Sequence, residues 1–199
     1  MTRPKTLVQL AGREAAPCRL GESVLVMIDC QNTYTTGVMK LSGIEAALEE
    51  AARLLARARE AGTPIIHVVH DGGPGSAYDL REEIGRIAEA VAPRGDEATV
   101  VKTLPNAFAK TDLHERLQAL GKTNLIVAGF MTHMCVSSTV RAGFDLGYRS
   151  TVVGAAAATR DLPTAAGGIM PAESLHEASL AGLADLFAVV VGKASDLPA

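Results

Sequence analysis

The sequence predicts a three-layer α/β/α sandwich on a six-stranded, mostly parallel sheet, and three observations predict it. Short apolar runs rich in valine and isoleucine alternate along the chain with stretches of helical period. The runs are continuous, as expected of strands buried on both faces. Side chains capable of chemistry fall just where several runs end, and parallel sheets collect their working groups at the carboxyl ends of strands.

The first run is Val24 to Ile28, closed by Asp29. Between Gly43 and Ala61 the residues Ile44, Leu48, Ala52, Leu55 and Ala58 recur at three or four, marking one face of a helix. Ser42 and Glu45 form a capping-box signature before it, and Gly62 follows its end. Pro64 to His70 is the second strand, followed by the glycine-rich turn Asp71 to Gly75. Asp79 to Ala90 reads as a short helix, and Ala98 to Val101 as a strand ending at Lys102. Thr111 is placed to cap a helix running to Leu120. Leu125 to Ala128 is the fourth strand, followed by a helix from Cys135 to Leu146. Thr151 to Val153, a helix from Pro171 to Leu186, and Phe187 to Val191 complete the alternation. With no linker and no internal repeat, residues 1–199 are expected to form one domain, with 1–22 as an N-terminal extension packed on it.

Composition narrows the function classes. The net charge of −3 gives no electrostatic reason to expect nucleic acid as a partner. No apolar run approaches the eighteen or so residues of a membrane span. The opening residues, MTRPKTLVQLAGREAAP, contain no secretory apolar stretch, so a cytoplasmic location is expected. Three cysteines without a Cys-x-x-Cys pair suggest neither a disulfide framework nor structural zinc. A special cysteine here should be special through its reactivity.

Cys135 is the candidate nucleophile. It follows a strand near a helix start, where the helix dipole should lower the thiol pKa and free N–H groups could hold an oxyanion. A buried, inert cysteine is an equally good reading of the position alone. Asp29, partly desolvated at its strand end, suits proton transfer, though a loop-capping aspartate is the plain alternative. Lys102 could hold a thiolate or an oxyanion, and taken alone it would be an ordinary surface lysine. Convergence of the three on one crevice favours chemistry over the separate alternatives. His70 could line the pocket, and His133 could orient substrate or face a neighbouring subunit. His67, His114 and His176 read as structural. His67 and His70 point to opposite faces of their strand, so they are no metal pair, and neither a catalytic metal nor a cofactor is expected.

Four segments resemble the isochorismatase-like cysteine hydrolases, a family that includes nicotinamidases and carbamoylsarcosine amidase. They are VLVMIDCQNTY, VVKTLPNAFAKTDL, GFMTHMCVSSTVRAGFDLGY and HEASLAGLADLFAVV. The resemblance runs from Val24 to Val191 and rests on the order Asp, Lys, Cys together with Gly-x-x-Thr-x-x-Cys-Val. It implies a Rossmann-like sheet, an Asp29–Lys102–Cys135 triad and a cis peptide between Phe130 and Met131. It further implies an oxyanion hole from the Met131 and Cys135 N–H groups, with Tyr34 against the substrate and Thr132 in the same turn, while His70, Phe130 and His133 are expected beside them as substrate-binding residues. Two departures stand out. HVVHDGGPGSAYD lacks the Asp-x-His metal site of nicotinamidases, and Ala155-Ala156 replaces the usual Asp-Ala.

The implied activity is hydrolysis of a C–N bond in a small amide or lactam through a thioester. The wording around Cys135 also looks like the branch containing streptothricin hydrolase. The alternatives are a vinyl-ether hydrolase of the isochorismatase type, whose members commonly lack the cysteine, and a binding protein without turnover on the same scaffold. The family implies a homo-oligomer, a dimer or tetramer. Substrate specificity is expected in the loops Asp71–Asp79 and Arg160–Pro171.

Overall fold

A computed structural model describes residues 3–199. Its strands are β1 Ser23–Ile28, β2 Ile65–His70, β3 Ala98–Lys102, β4 Asn124–Phe130, β5 Arg149–Ala158, β6 Leu162–Pro163, β7 Ile169–Met170 and β8 Ala188–Val191. Six of them form one parallel sheet in the order β3-β2-β1-β4-β5-β8. The helices are α1 Leu7–Leu10, α2 Ile44–Glu60, α3 Leu113–Ala119, α4 Ser137–Asp145 and α5 Ala172–Ala184. The predicted sandwich is therefore present.

Burial explains the continuous runs. Every residue of β1 is buried, with Leu25 and Met27 facing one layer and Val24, Val26 and Ile28 the other. The first layer is α2, which lays Ile44, Ala47, Ala51, Leu54, Leu55 and Ala58 on the sheet. The second is built from α3, α4 and α5 through residues such as Leu117, Val140 and Leu183. Each large aliphatic side chain so removed from water stabilises the fold by about 1.5–3 kcal/mol.

Strand order reverses about β1 and β4, so a crevice opens at their carboxyl ends. There Gly129 takes φ +118° and passes against the Ile28 carbonyl, leaving no room for a Cβ. The β4–β5 register shifts between Val127 and Gly129 at the same place.

Several expected elements change. Segment 79–90 is not a helix but two short 3₁₀ turns, Glu83–Gly85 and Glu89–Val91. Its backbone is drawn into long-range bonds instead, Asn32 N–H to Arg86 O and Ala88 N–H to Cys30 O. The capping box before α2 is not formed. Gly43 occupies the cap in a left-handed conformation, Glu45 pairs with Lys40 at 2.7 Å, and Ser42 N–H is bonded to Thr159 O. Asp112, not Thr111, precedes α3, while the Thr111 hydroxyl accepts the Leu113 N–H. The fifth strand is ten residues long, because Arg149 and Ser150 precede the expected run and Gly154 to Ala158 continues it. The β6–β7 hairpin was not expected.

Among the N-terminal residues, Val8 N–H bonds Asp185 O, Cys18 N–H bonds Thr151 Oγ1 and Leu20 N–H bonds Pro198 O. Among the described residues, no helix is long and apolar enough to cross a membrane.

Candidate active site

Asp29 is the first residue past β1. Its backbone turns to φ +50°, a left-handed conformation that aspartate tolerates better than most residues. Its N–H stays bonded to Val68 O, so the turn remains anchored to β2. Lys102 ends β3, two strands away. Neighbouring strands lie about 4.8 Å apart, so a side chain must span roughly 10 Å to join β3 to β1. Lysine is long enough to cover most of that gap, and this one does so almost fully buried.

The Lys102 ammonium meets three acceptors, one for each of its protons. Asp29 Oδ2 lies at 2.7 Å, His70 Nδ1 at 3.2 Å and Cys135 Sγ at 3.4 Å. Burial pushes the His70 pKa down, and Lys102 pushes the same way. A neutral His70 with its proton on Nε2 therefore accepts from the ammonium through Nδ1. Gln31 fixes that strand end, donating to His70 O and Gly85 O and accepting the His70 N–H.

Cys135 lies within a five-residue π-type turn, Thr132–Val136, that precedes α4. The expected helix start at Cys135 is thus replaced by this turn, with the α-helix beginning at Ser137. The Phe130–Met131 peptide is cis. The Met131 carbonyl accepts from both Met134 N–H and Val136 N–H, which holds the turn tight. Side chains anchor it as well: Thr132 Oγ1 lies 2.9 Å from His176 Nδ1, and His133 Nδ1 lies 2.6 Å from Thr159 Oγ1.

Electrostatics correct one expectation. The Cys135 thiol was expected to ionise easily, yet its pKa is pushed up to about 12. Burial is the main cause and the Asp29 charge adds to it, while Lys102 offsets them only in part. Burial also raises the Asp29 carboxyl, against the pull of Lys102. Apart from the lysine ion pair, neither Asp29 oxygen receives a hydrogen bond of good geometry among the described residues. The site thus sets a protonated thiol beside an Asp29 carboxyl group that pairs with Lys102 and keeps spare acceptor capacity.

The other expected site residues are distributed unevenly. Tyr34 packs edge-on against both Phe130 and Tyr78, with ring centroids 5.8 Å apart in each case. Phe130 and Thr132 have no exposed surface at all, whereas His133 is half-buried.

The Isochorismatase domain family matches residues 23–195. The chain belongs to the isochorismatase family. Its fold matches the crystal structure of an isochorismatase from Pseudomonas putida KT2440 with a TM-score of 0.94 and 44% identity, over 98% of this chain and 100% of that one. A secreted isochorismatase effector of Verticillium dahliae is 37% identical over 171 residues, covering 85% of this chain and 87% of the relative. Streptothricin hydrolase of Streptomyces noursei is 35% identical over 141 residues, covering 71% of this chain and 51% of the relative.

Three residues of this isochorismatase-family site were not singled out in the sequence: Tyr78 and Arg160 lay only within the loops expected to set specificity, and His176 read as structural. Tyr78 donates to the Tyr34 hydroxyl at 3.2 Å and stacks edge-on against His70. Arg160 lies near enough to influence both Tyr78 and His133. Its buried Nε has no partner among the described residues, and its one hydrogen bond is a long contact with Asp161 O, at 3.4 Å. His176 reaches the nucleophile turn from α5. A fifth strand read to its true end at Ala158 would have drawn attention to Arg160 as the second residue beyond a strand terminus. Among the described residues, no group of three His, Cys, Asp or Glu side chains is placed to hold a metal ion.

Proposed function

We propose that the protein hydrolyses a C–N bond in a small amide or lactam through a thioester on Cys135. The observation that carries this reading is the buried trio at the sheet's switch point, in which Lys102 lies 2.7 Å from Asp29 and 3.4 Å from Cys135. As substrate binds, Asp29 takes the thiol proton and Sγ attacks the carbonyl carbon. The Met131 and Cys135 N–H groups, assisted by Lys102, stabilise the oxyanion. The C–N bond breaks as Asp29 returns the proton to the leaving nitrogen. Asp29 then takes a proton from water, hydroxide adds to the thioester, and the collapsing intermediate releases the acid and the thiol.

Arg160 narrows the substrate. The Arg160 guanidinium, whose buried Nε has no partner among the described residues and which lies near Tyr78 and His133, suits a carboxylate, which it can bind through two parallel hydrogen bonds. The amide is therefore one that carries an anionic group. Three unpaired cysteines fit the reducing cytoplasm as its location, and a homo-oligomer fits the family.

The similarity to a secreted isochorismatase effector supports a second reading, cleavage of a vinyl ether. Mass spectrometry of Cys135 after exposure to a panel of amides, lactams and isochorismate separates the two. An acyl adduct on Cys135 that a Cys135→Ala protein lacks supports the thioester route. Full turnover by that variant would sink it.

A further inference from the structure

We propose that His176 is a positioning residue for acyl transfer, holding the Thr132 hydroxyl and through it the turn that carries the Met131 and Cys135 N–H groups. The inference rests on the reading of Cys135 as nucleophile and adds a residue that touches no reacting atom. Thr132 is completely buried and immediately follows Met131. A buried hydroxyl needs a partner, and the one Thr132 has is His176 Nδ1, 44 positions away in sequence. The other side-chain anchor of the turn, His133 to Thr159, ties it to the end of β5. The two bonds hold adjacent residues to different elements, α5 and β5. Together they restrain rotation of the peptides on either side.

The turn needs such restraint. It is five residues of π-type geometry, a rare form that occurs mostly as single turns, and its own backbone bonds converge on one carbonyl, Met131 O. Oxyanion donors act only when they are fixed where the developing charge appears. His176 is also half-buried at the edge of a cavity of about 410 Å³ shared with Ser42, Thr159 and Glu173. Removing its ring should enlarge that space, since His176 lines it and lies in neither buried core cluster.

The test compares two reactions at the same sulfur. With p-nitrophenyl acetate, the acetyl carbon bonds to Sγ, the thiol proton passes to Asp29 and p-nitrophenolate leaves. That route passes through an oxyanion. With iodoacetamide, Sγ displaces iodide directly and no oxyanion forms. In His176→Ala, acetylation of Cys135 should slow about ten- to a hundredfold, the scale of a small misplacement of catalytic groups. Alkylation and the melting temperature should hold. His176→Asn, whose amide stands near the Nδ1 position, should recover most of the loss. Acetylation of His176→Ala within about twofold of wild type overturns the proposal. So does a loss shared equally by alkylation and melting, which marks a merely structural role. A wild-type Cys135 that is never acetylated overturns the nucleophile reading itself.

Discussion

The resting state of Cys135 gives the sharpest prediction. A thiol with a pKa of about 12 should be almost wholly protonated at neutral pH. At pH 8 about one molecule in 10⁴ holds the thiolate, against about a quarter for an ordinary cysteine of pKa near 8.5. A more basic thiolate is a better nucleophile, and a Brønsted slope near 0.45 returns roughly fortyfold over that difference. Alkylation at pH 8 should therefore run roughly sixtyfold slower than for a free cysteine peptide, before any slowing from burial. The diagnostic feature is shape. The logarithm of the rate should climb about one unit per pH unit from pH 7 to 10 without levelling. Timed iodoacetamide labelling, read at the Cys135 peptide against a reference peptide in the same tube, measures it. Asp29→Asn removes a charge that opposes ionisation, so its alkylation at pH 8 should speed up even as acyl transfer fails. A plateau below about pH 9 would refute the reasoning and restore the easily ionised thiol suggested by the chain's local pattern.

Three further outcomes follow from particular contacts. Glu97 is held down to about 2, first by Arg59 at 2.7 Å and then by His67 at 3.0 Å. Its folded value lies below its unfolded one, so the stabilisation, up to about 3 kcal/mol, is complete above pH 5 or so and is lost as pH falls from about 4.5 toward 2. Urea midpoints across that range should fall less steeply for Glu97→Gln than for wild type, and parallel curves would count against the pairing. Gly129→Ala drives a Cβ into the Ile28 carbonyl and should cost about 3 kcal/mol or more, while a melting temperature within about 2 °C of wild type would contradict the packing. Arg160→Met should raise KM about ten- to a hundredfold for a carboxylate-bearing amide and leave a neutral amide of the same leaving group unchanged; equal effects on both would remove Arg160 from substrate recognition.

Much of the fold was legible because burial on both faces writes itself into composition. Val24 to Ile28 can be little else than a central parallel strand, and its end marks Asp29. The helix over 79–90 failed because apolar spacing cannot report that Asn32 and Ala88 exchange backbone bonds with distant partners. The cap of α2 failed for a related reason, since Ser42 is spoken for by Thr159. In the site, Lys102 was legible from its strand end, but its bond to His70 depends on the neighbouring position of β2 and β3. Tyr78, Arg160 and His176 lie on a loop, beyond a strand end and on a helix, respectively. Tyr78 and Arg160 fall in the two loops expected to set specificity, but nothing local singles them out within those loops, and His176 read as structural. The expected thiol pKa erred by weighing a helix dipole, worth about 1 kcal/mol or less when exposed, above the desolvation of a buried anion.

A high thiol pKa is compatible with catalysis because the proton need not leave the site. On the proposed thioester route the trio starts as one carboxylate, one ammonium and one neutral thiol. After transfer it holds a neutral carboxyl, the same ammonium and a thiolate. The net charge is zero in both states, so burial, which penalises an isolated anion heavily, bears on the two far more equally. Lys102 touches both places where the negative charge can reside, at 2.7 Å and 3.4 Å, so it serves as counter-ion throughout. His70 accepts its third proton and keeps the ammonium pointed at the pair. Release of the proton to solvent would instead leave two anions against one cation in a dry cleft, which is the state the raised thiol value opposes. Burial thus suppresses idle reactivity of the sulfur with chance electrophiles while leaving internal transfer to Asp29 available. On the proposed route, the thiolate then forms only when a carbonyl stands in position to consume it.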